Sequence, residues 1–134
     1  MMAASEASTA ASRRFEVCQQ FFFDSAHTLA RQIDTESSRR VHGHTYHAVV
    51  SVAGPKDLRT GMVVDLGLLR HRLAALRERL DHHLLDDVPG LGAPTLENLC
   101  EFIWRDLCDD FPGLHAVTVR RDAIGDACTL TVGR

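Results

Sequence analysis

The residues with the clearest chemistry are two histidines separated by one glycine, His42-Gly43-His44. On a strand, residues two apart point to the same face, so both imidazoles can converge on one ion. Gly43 puts no side chain between them and lets the backbone bend. A third imidazole, His27, closes the preceding run and comes within reach if the two runs pair antiparallel across the polar segment 28–40. Three neutral nitrogens with a fourth position open to water form the arrangement of a catalytic zinc ion, although imidazole also suits other transition metals. The same spacing occurs in ordinary strand histidines, so at this point both readings stand. His47 falls on the opposite strand face, as a partner for a loop or a group behind the ligands, and His71 and His115 read as surface or core histidines.

Several elements must position these groups. From Arg14 to Asp24, Phe15, Val17, Gln19, Phe21 and Phe23 repeat at period two and predict a strand. A second strand is predicted from Val41 to Ala53, ended by Gly54-Pro55. Residues 28–40 read as a loop. Asp65 is a good N-cap for a helix reaching Leu80, with Leu66, Leu69, Leu73, Leu76 and Leu80 on one stripe. Thr95 caps a second helix, with Glu97 in its first turn, and Phe111-Pro112-Gly113 stops it. Alternating runs Leu114–Asp122 and Ala127–Val132 follow, joined by a turn around Gly125. The order ββααββ predicts an α+β domain, an antiparallel four-stranded sheet with two helices packed on one face. If the other face is as apolar as the strands suggest, it must also be covered, and association there or through the sheet edges is expected.

A chain of 134 residues suits one domain, read as residues 14–134 behind a disordered tail, residues 1–13. A net charge of −3 argues against nucleic acid as a partner. The local pairs Arg39-Arg40 and Arg120-Arg121 leave room for a small anionic ligand. No apolar run approaches a membrane span of about 20 residues, so no membrane partner is expected. Cys18, Cys100, Cys108 and Cys128 form no CxxC pair and read as reduced thiols of a cytoplasmic protein.

Five segments in order resemble the 6-pyruvoyl-tetrahydropterin synthase and 6-carboxytetrahydropterin synthase family: Phe23-Asp24-Ser25-Ala26-His27, Val41-His42-Gly43-His44-Thr45-Tyr46, Gly61-Met62-Val63-Val64-Asp65-Leu66, Leu80-Asp81-His82-His83-Leu84-Leu85-Asp86 and Pro94-Thr95-Leu96-Glu97-Asn98-Leu99. The resemblance implies the tunnelling fold, assembled as a homohexamer of two trimers with sites at subunit interfaces. It implies a lyase holding zinc on His27, His42 and His44 and acting on 7,8-dihydroneopterin triphosphate or a related reduced pterin. Asp81-His82 matches the family's proton-transfer pair, in which a carboxylate orients an imidazole and raises its basicity. Thr95 and Glu97 match the segment that helps hold the pterin.

Two positions depart from the family pattern. The catalytic cysteine usually lies four or six residues before the first His of the HxH; here those positions hold Ser38 and Glu36. A carboxylate can serve as a base if its pKa is raised. The resemblance to a subgroup with Glu in this place makes Glu36 a candidate base, with side-chain cleavage to a 6-hydroxymethyl pterin and a place in folate synthesis. The alternative products are the 6-pyruvoyl pterin and the 6-carboxy pterin, the latter leading to queuosine. The second departure is Arg121, followed by Asp122, where the family usually has a pterin-anchoring Glu. A guanidinium only donates hydrogen bonds, so it cannot replace that carboxylate: either Asp122 takes over through a local shift, which would reverse its strand face, or the bound ring differs. The competing expectation is a non-catalytic or repurposed zinc module.

Overall fold

The computed structural model describes residues 13–33 and 35–132. Its strands are β1 (Phe15–His27), β2 (His42–Gly54), β3 (Leu114–Arg121) and β4 (Asp126–Thr131). Its helices are α1 (Thr35–Arg39), α2 (Leu66–Glu78) and α3 (Leu96–Leu107), with single 3₁₀ turns at Leu85–Asp87 and Asp122–Ile124. The four strands form one antiparallel sheet in chain order. The α+β layout expected from the alternation is the one observed. The tail expected to be disordered lies, apart from residue 13, outside the described residues.

The segment read as a loop holds a short helix, α1. No apolar periodicity announces it, because it is only five residues long. Glu36 in its first turn pairs with Arg40 four residues on, Oε1 to Nη2 at 2.7 Å. Charges placed this way favour a helical turn only modestly.

One sheet face is apolar and buried: Phe23, Tyr46, Ala48, Val50, Val52, Val117 and Val119 lie on it. Phe23 and Tyr46, paired across β1 and β2, stack with ring centroids 4.9 Å apart. Leu69, Leu73 and Leu76 of α2 and Leu99, Ile103 and Leu107 of α3 close over this face. Each such side chain contributes roughly 1.5–3 kcal/mol of burial. Helix α2 packs beside β1 and α3 beside β3 and β4. At the entry to β3, Ala53 N–H donates to Gly113 O at 2.8 Å, and a Cβ at Gly113 would stand 2.7 Å from the Ala53 carbonyl oxygen, so only glycine fits. Among the described residues no helix is long and apolar enough to cross a membrane, and all four cysteines are free thiols.

Two boundaries differ from expectation in ways that serve the site. Helix α2 starts at its Asp65 cap, which accepts from Gly67 and Leu68 N–H, but ends at Glu78 rather than Leu80. Leu80 stays buried in the turn that follows, and His82 N–H then reaches Asp24 O at 2.7 Å. Strand β1 runs on past Asp24 to His27. Its polar Ser25 is buried there and donates to Leu80 O, so this strand end is tied to the turn after α2.

Candidate metal centre

The β1–β2 register sets His27 opposite His42 and Ser25 opposite His44. All three imidazoles therefore leave the same sheet face at one end of the hairpin. Their ring centroids are 4.5, 4.8 and 4.9 Å apart, with the planes steeply inclined to one another. One nitrogen from each falls within 4.8 Å of the others.

Two backbone carbonyls decide which nitrogens face inward. His27 Nδ1–H donates to Pro94 O at 3.1 Å, and His42 Nδ1–H donates to Arg40 O at 2.7 Å. Each Nε2 then carries a lone pair, and these two Nε2 atoms stand 2.9 Å apart. Two lone pairs facing at that distance repel unless a cation lies between them. A shared proton is disfavoured, because burial, ahead of any other cause, holds His27 below the usual histidine pKa. His44 is pushed down to about 4, first by burial and then by the neighbouring His27 and Arg121. Neutral imidazoles with Nδ1–H held by a carbonyl are the form in which histidine ligates zinc, at Zn–N distances of about 2.0–2.1 Å. This donor set fits that ion.

Behind the histidines lies Tyr46, two residues beyond His44 on the same face and fully buried. Its hydroxyl is 3.4 Å from His27 Nδ1, and burial pushes its pKa up to about 12, so it stays a neutral phenol. Arg121, at the end of β3, is also buried. Its Nη2 donates to Asp126 Oδ2 at 2.9 Å, while Nε has no partner among the described residues. Asp122 does not take over a place on this face: it is exposed and pairs with Arg120 and with His47. His47 is thus the partner of a turn, as its strand parity suggested. His71 and His115 are exposed.

The Asp81-His82 pair forms a second cluster. Asp81 accepts from Asp24 N–H at 2.9 Å and from His82 Nδ1–H at 2.8 Å, with Arg77 at 3.3 Å. These contacts, the Asp24 amide first, hold its carboxyl below the usual carboxylate range. His82 is exposed and has a left-handed backbone, φ 57°, a conformation uncommon outside glycine. An open cleft of about 550 Å³ is lined by His44, Thr45, Asp24, His82 and His83 among others, so His82 and one member of the histidine triad share a wall.

The remaining expected residues lie further out. Glu36 is 87% exposed and its carboxylate is turned to Arg40. It is linked to the histidines through the chain: Arg40 follows α1 and lends its carbonyl to His42. Thr95 Oγ1 caps α3 by accepting from Asn98 N–H at 3.1 Å, and Glu97 is exposed in the first turn. Reading the sequence missed the Pro94 and Arg40 carbonyls, which have no side-chain signature. Tyr46 could have been found by extending the histidine face by two residues.

The family model described as 6-pyruvoyl tetrahydropterin synthase matches residues 16–131. A 6-carboxy-5,6,7,8-tetrahydropterin synthase from Synechocystis is 36% identical over 96 residues, covering 68% of this chain and 73% of that protein. Relatives named 6-pyruvoyl tetrahydrobiopterin synthase match over 70 residues, and the matched stretch spans less than half of their length, 42% and 48% in two cases. Among solved structures, the Caenorhabditis elegans 6-pyruvoyl tetrahydropterin synthase superposes with a TM-score of 0.76 at 21% identity, covering 90% of this chain and 97% of that one. A Plasmodium vivax 6-pyruvoyltetrahydropterin synthase, carrying alanine in place of a catalytic glutamate, superposes at 0.69 with 16% identity over 90% of this chain and all of that one. These two structural likenesses concern the fold.

Proposed function

The chain belongs to the 6-pyruvoyl tetrahydropterin synthase family, and from that membership and the site we propose a zinc-dependent lyase acting on 7,8-dihydroneopterin triphosphate or a related reduced pterin. The observation that carries the metal half of this reading is the pair of inward Nε2 lone pairs on His27 and His42, 2.9 Å apart. His44 supplies the third nitrogen. Zinc bound there would act as a Lewis acid on side-chain hydroxyls of the pterin, making their protons and those of adjacent carbons easier to remove.

The chain's own residues handle the protons. Asp81 holds Nδ1–H of His82, which leaves Nε2 as the atom that takes a proton and returns it. In the favoured version Glu36 replaces the missing thiol as base, after leaving Arg40. The catalytic glutamate of the Plasmodium vivax enzyme supports a carboxylate in such a role. The product in that version is a 6-hydroxymethyl pterin formed by retro-aldol cleavage; a 6-carboxy or 6-pyruvoyl product is the alternative that the relatives' names suggest. Thr95, Glu97 and Arg121 contact the substrate, and Asp81-His82 acts at an interface of a cytoplasmic homohexamer. A second reading, a repurposed zinc-binding module, is favoured by one feature: Glu36 stands 87% exposed and ion-paired.

Purified protein is expected to hold about one zinc per chain, read by atomic absorption, and His42→Ala to hold almost none. Incubation with dihydroneopterin triphosphate, followed by mass spectrometry, identifies the product. Intact zinc with no turnover overturns the lyase and leaves the module.

A further inference from the structure

Arg121 closes β3 on the histidine side of the sheet. Its predecessor Arg120 pairs with His47, which brings Arg121 level with Tyr46 on the inner face. It is only 6% exposed, yet among the described residues one Nη2 contact to a partly exposed Asp126 is its sole ion pair, and its buried Nε–H has no acceptor. The guanidinium donates to the Tyr46 hydroxyl, and the charge of Arg121 is felt by both His27 and His44.

A guanidinium only donates, and its planar fork fits two oxygens of one oxyanion. Burying such a group removes its hydration, and an unmet N–H gets nothing in return. The position therefore leaves Nε–H short of one acceptor oxygen, with a single partly exposed carboxylate to balance the charge. It also turns away any ligand edge made of N–H donors. We propose that Arg121 anchors an oxyanion subsite beside the histidine centre, taking carboxylate or phosphate oxygens of a ligand whose other end reaches the three histidines. The identity of the rest of that ligand, a pterin, rests on the lyase reading; the oxyanion subsite does not.

The test uses zinc-loaded protein titrated by calorimetry with inorganic phosphate, with benzoate and with uncharged benzamide. One of the two anions is expected to bind at least tenfold more tightly than benzamide, and which one does identifies the group as phosphate or carboxylate. Arg121→Gln should weaken that anion about tenfold while Arg121→Lys keeps part of the affinity. Asp126→Asn, at a partly exposed position, should free the guanidinium and tighten the anion several-fold. If Arg121→Gln does not fold with its zinc, Asp126→Asn decides alone. Equal anion affinity in wild type and Asp126→Asn, or no anion binding by wild type, overturns the proposal. Turnover of dihydroneopterin triphosphate is scored separately. Anion binding that depends on Arg121 with no turnover removes the lyase reading and keeps the subsite; turnover without such binding does the reverse.

Discussion

Asp81 and Glu36 are both carboxylates assigned to proton chemistry, and their surroundings differ sharply. Asp81 is fixed by an amide, an imidazole and a guanidinium, whereas Glu36 is on the surface with Arg40. Glu36→Gln keeps the shape and removes the base, so kcat on dihydroneopterin triphosphate is expected to fall by about a hundredfold or more. An unchanged kcat with unchanged zinc would take Glu36 out of the mechanism. For Asp81 the pH dependence has a definite sign. Its folded pKa lies below the ordinary 3.8, so its contacts stabilise the fold above that value and are lost as pH falls through the folded pKa. On acidification below about pH 4 the melting temperature of wild type minus that of Asp81→Asn should shrink toward zero. A difference that grows on acidification contradicts this assignment. At this scale much of the site was legible: strand parity placed His27, His42 and His44 on one face, and Arg121 opposite in parity to Asp122. The burial of Arg121 was not, because nothing in its sequence neighbours says that it would be enclosed beside Tyr46.

Helix α3 links stability to the metal centre. Its Thr95 cap holds the first turn, and the residue before it, Pro94, gives the carbonyl that fixes the His27 tautomer. Thr95→Ala is expected to lose about 1 kcal/mol in denaturant unfolding. It should also weaken zinc roughly tenfold, because groups that orient a ligating histidine tune its affinity. Thr95→Ser should restore both. A loss of activity without either change would instead point to direct contact between Thr95 and the substrate. The cap itself was readable, since Thr95 precedes an apolar stripe. Its bond to the metal site was not, because a carbonyl is present at every residue and only the fold chooses which one meets His27. Helix α1 was unreadable for a related reason: five residues are too few for a period, and one ion pair distinguishes them weakly from a loop.

For the whole molecule, the histidine centre joins β1, β2 and the segment that leads into α3. Filling it therefore stabilises parts of the chain that are far apart in sequence, and a metal held only in the folded state adds RT ln(1 + [Zn]/Kd) to stability. At a free zinc concentration a hundred times Kd this is about 2.7 kcal/mol, which for a domain of this size raises the melting temperature by roughly 8 °C. Wild-type protein stripped with a chelator should melt lower by that order and recover when zinc returns. His42→Ala should melt near the stripped wild type and ignore both treatments. The comparison separates a metal centre from three histidines that merely pack together. In the packed case, removing zinc leaves the wild-type melt where it was, and His42→Ala is destabilised to the same degree with or without the metal.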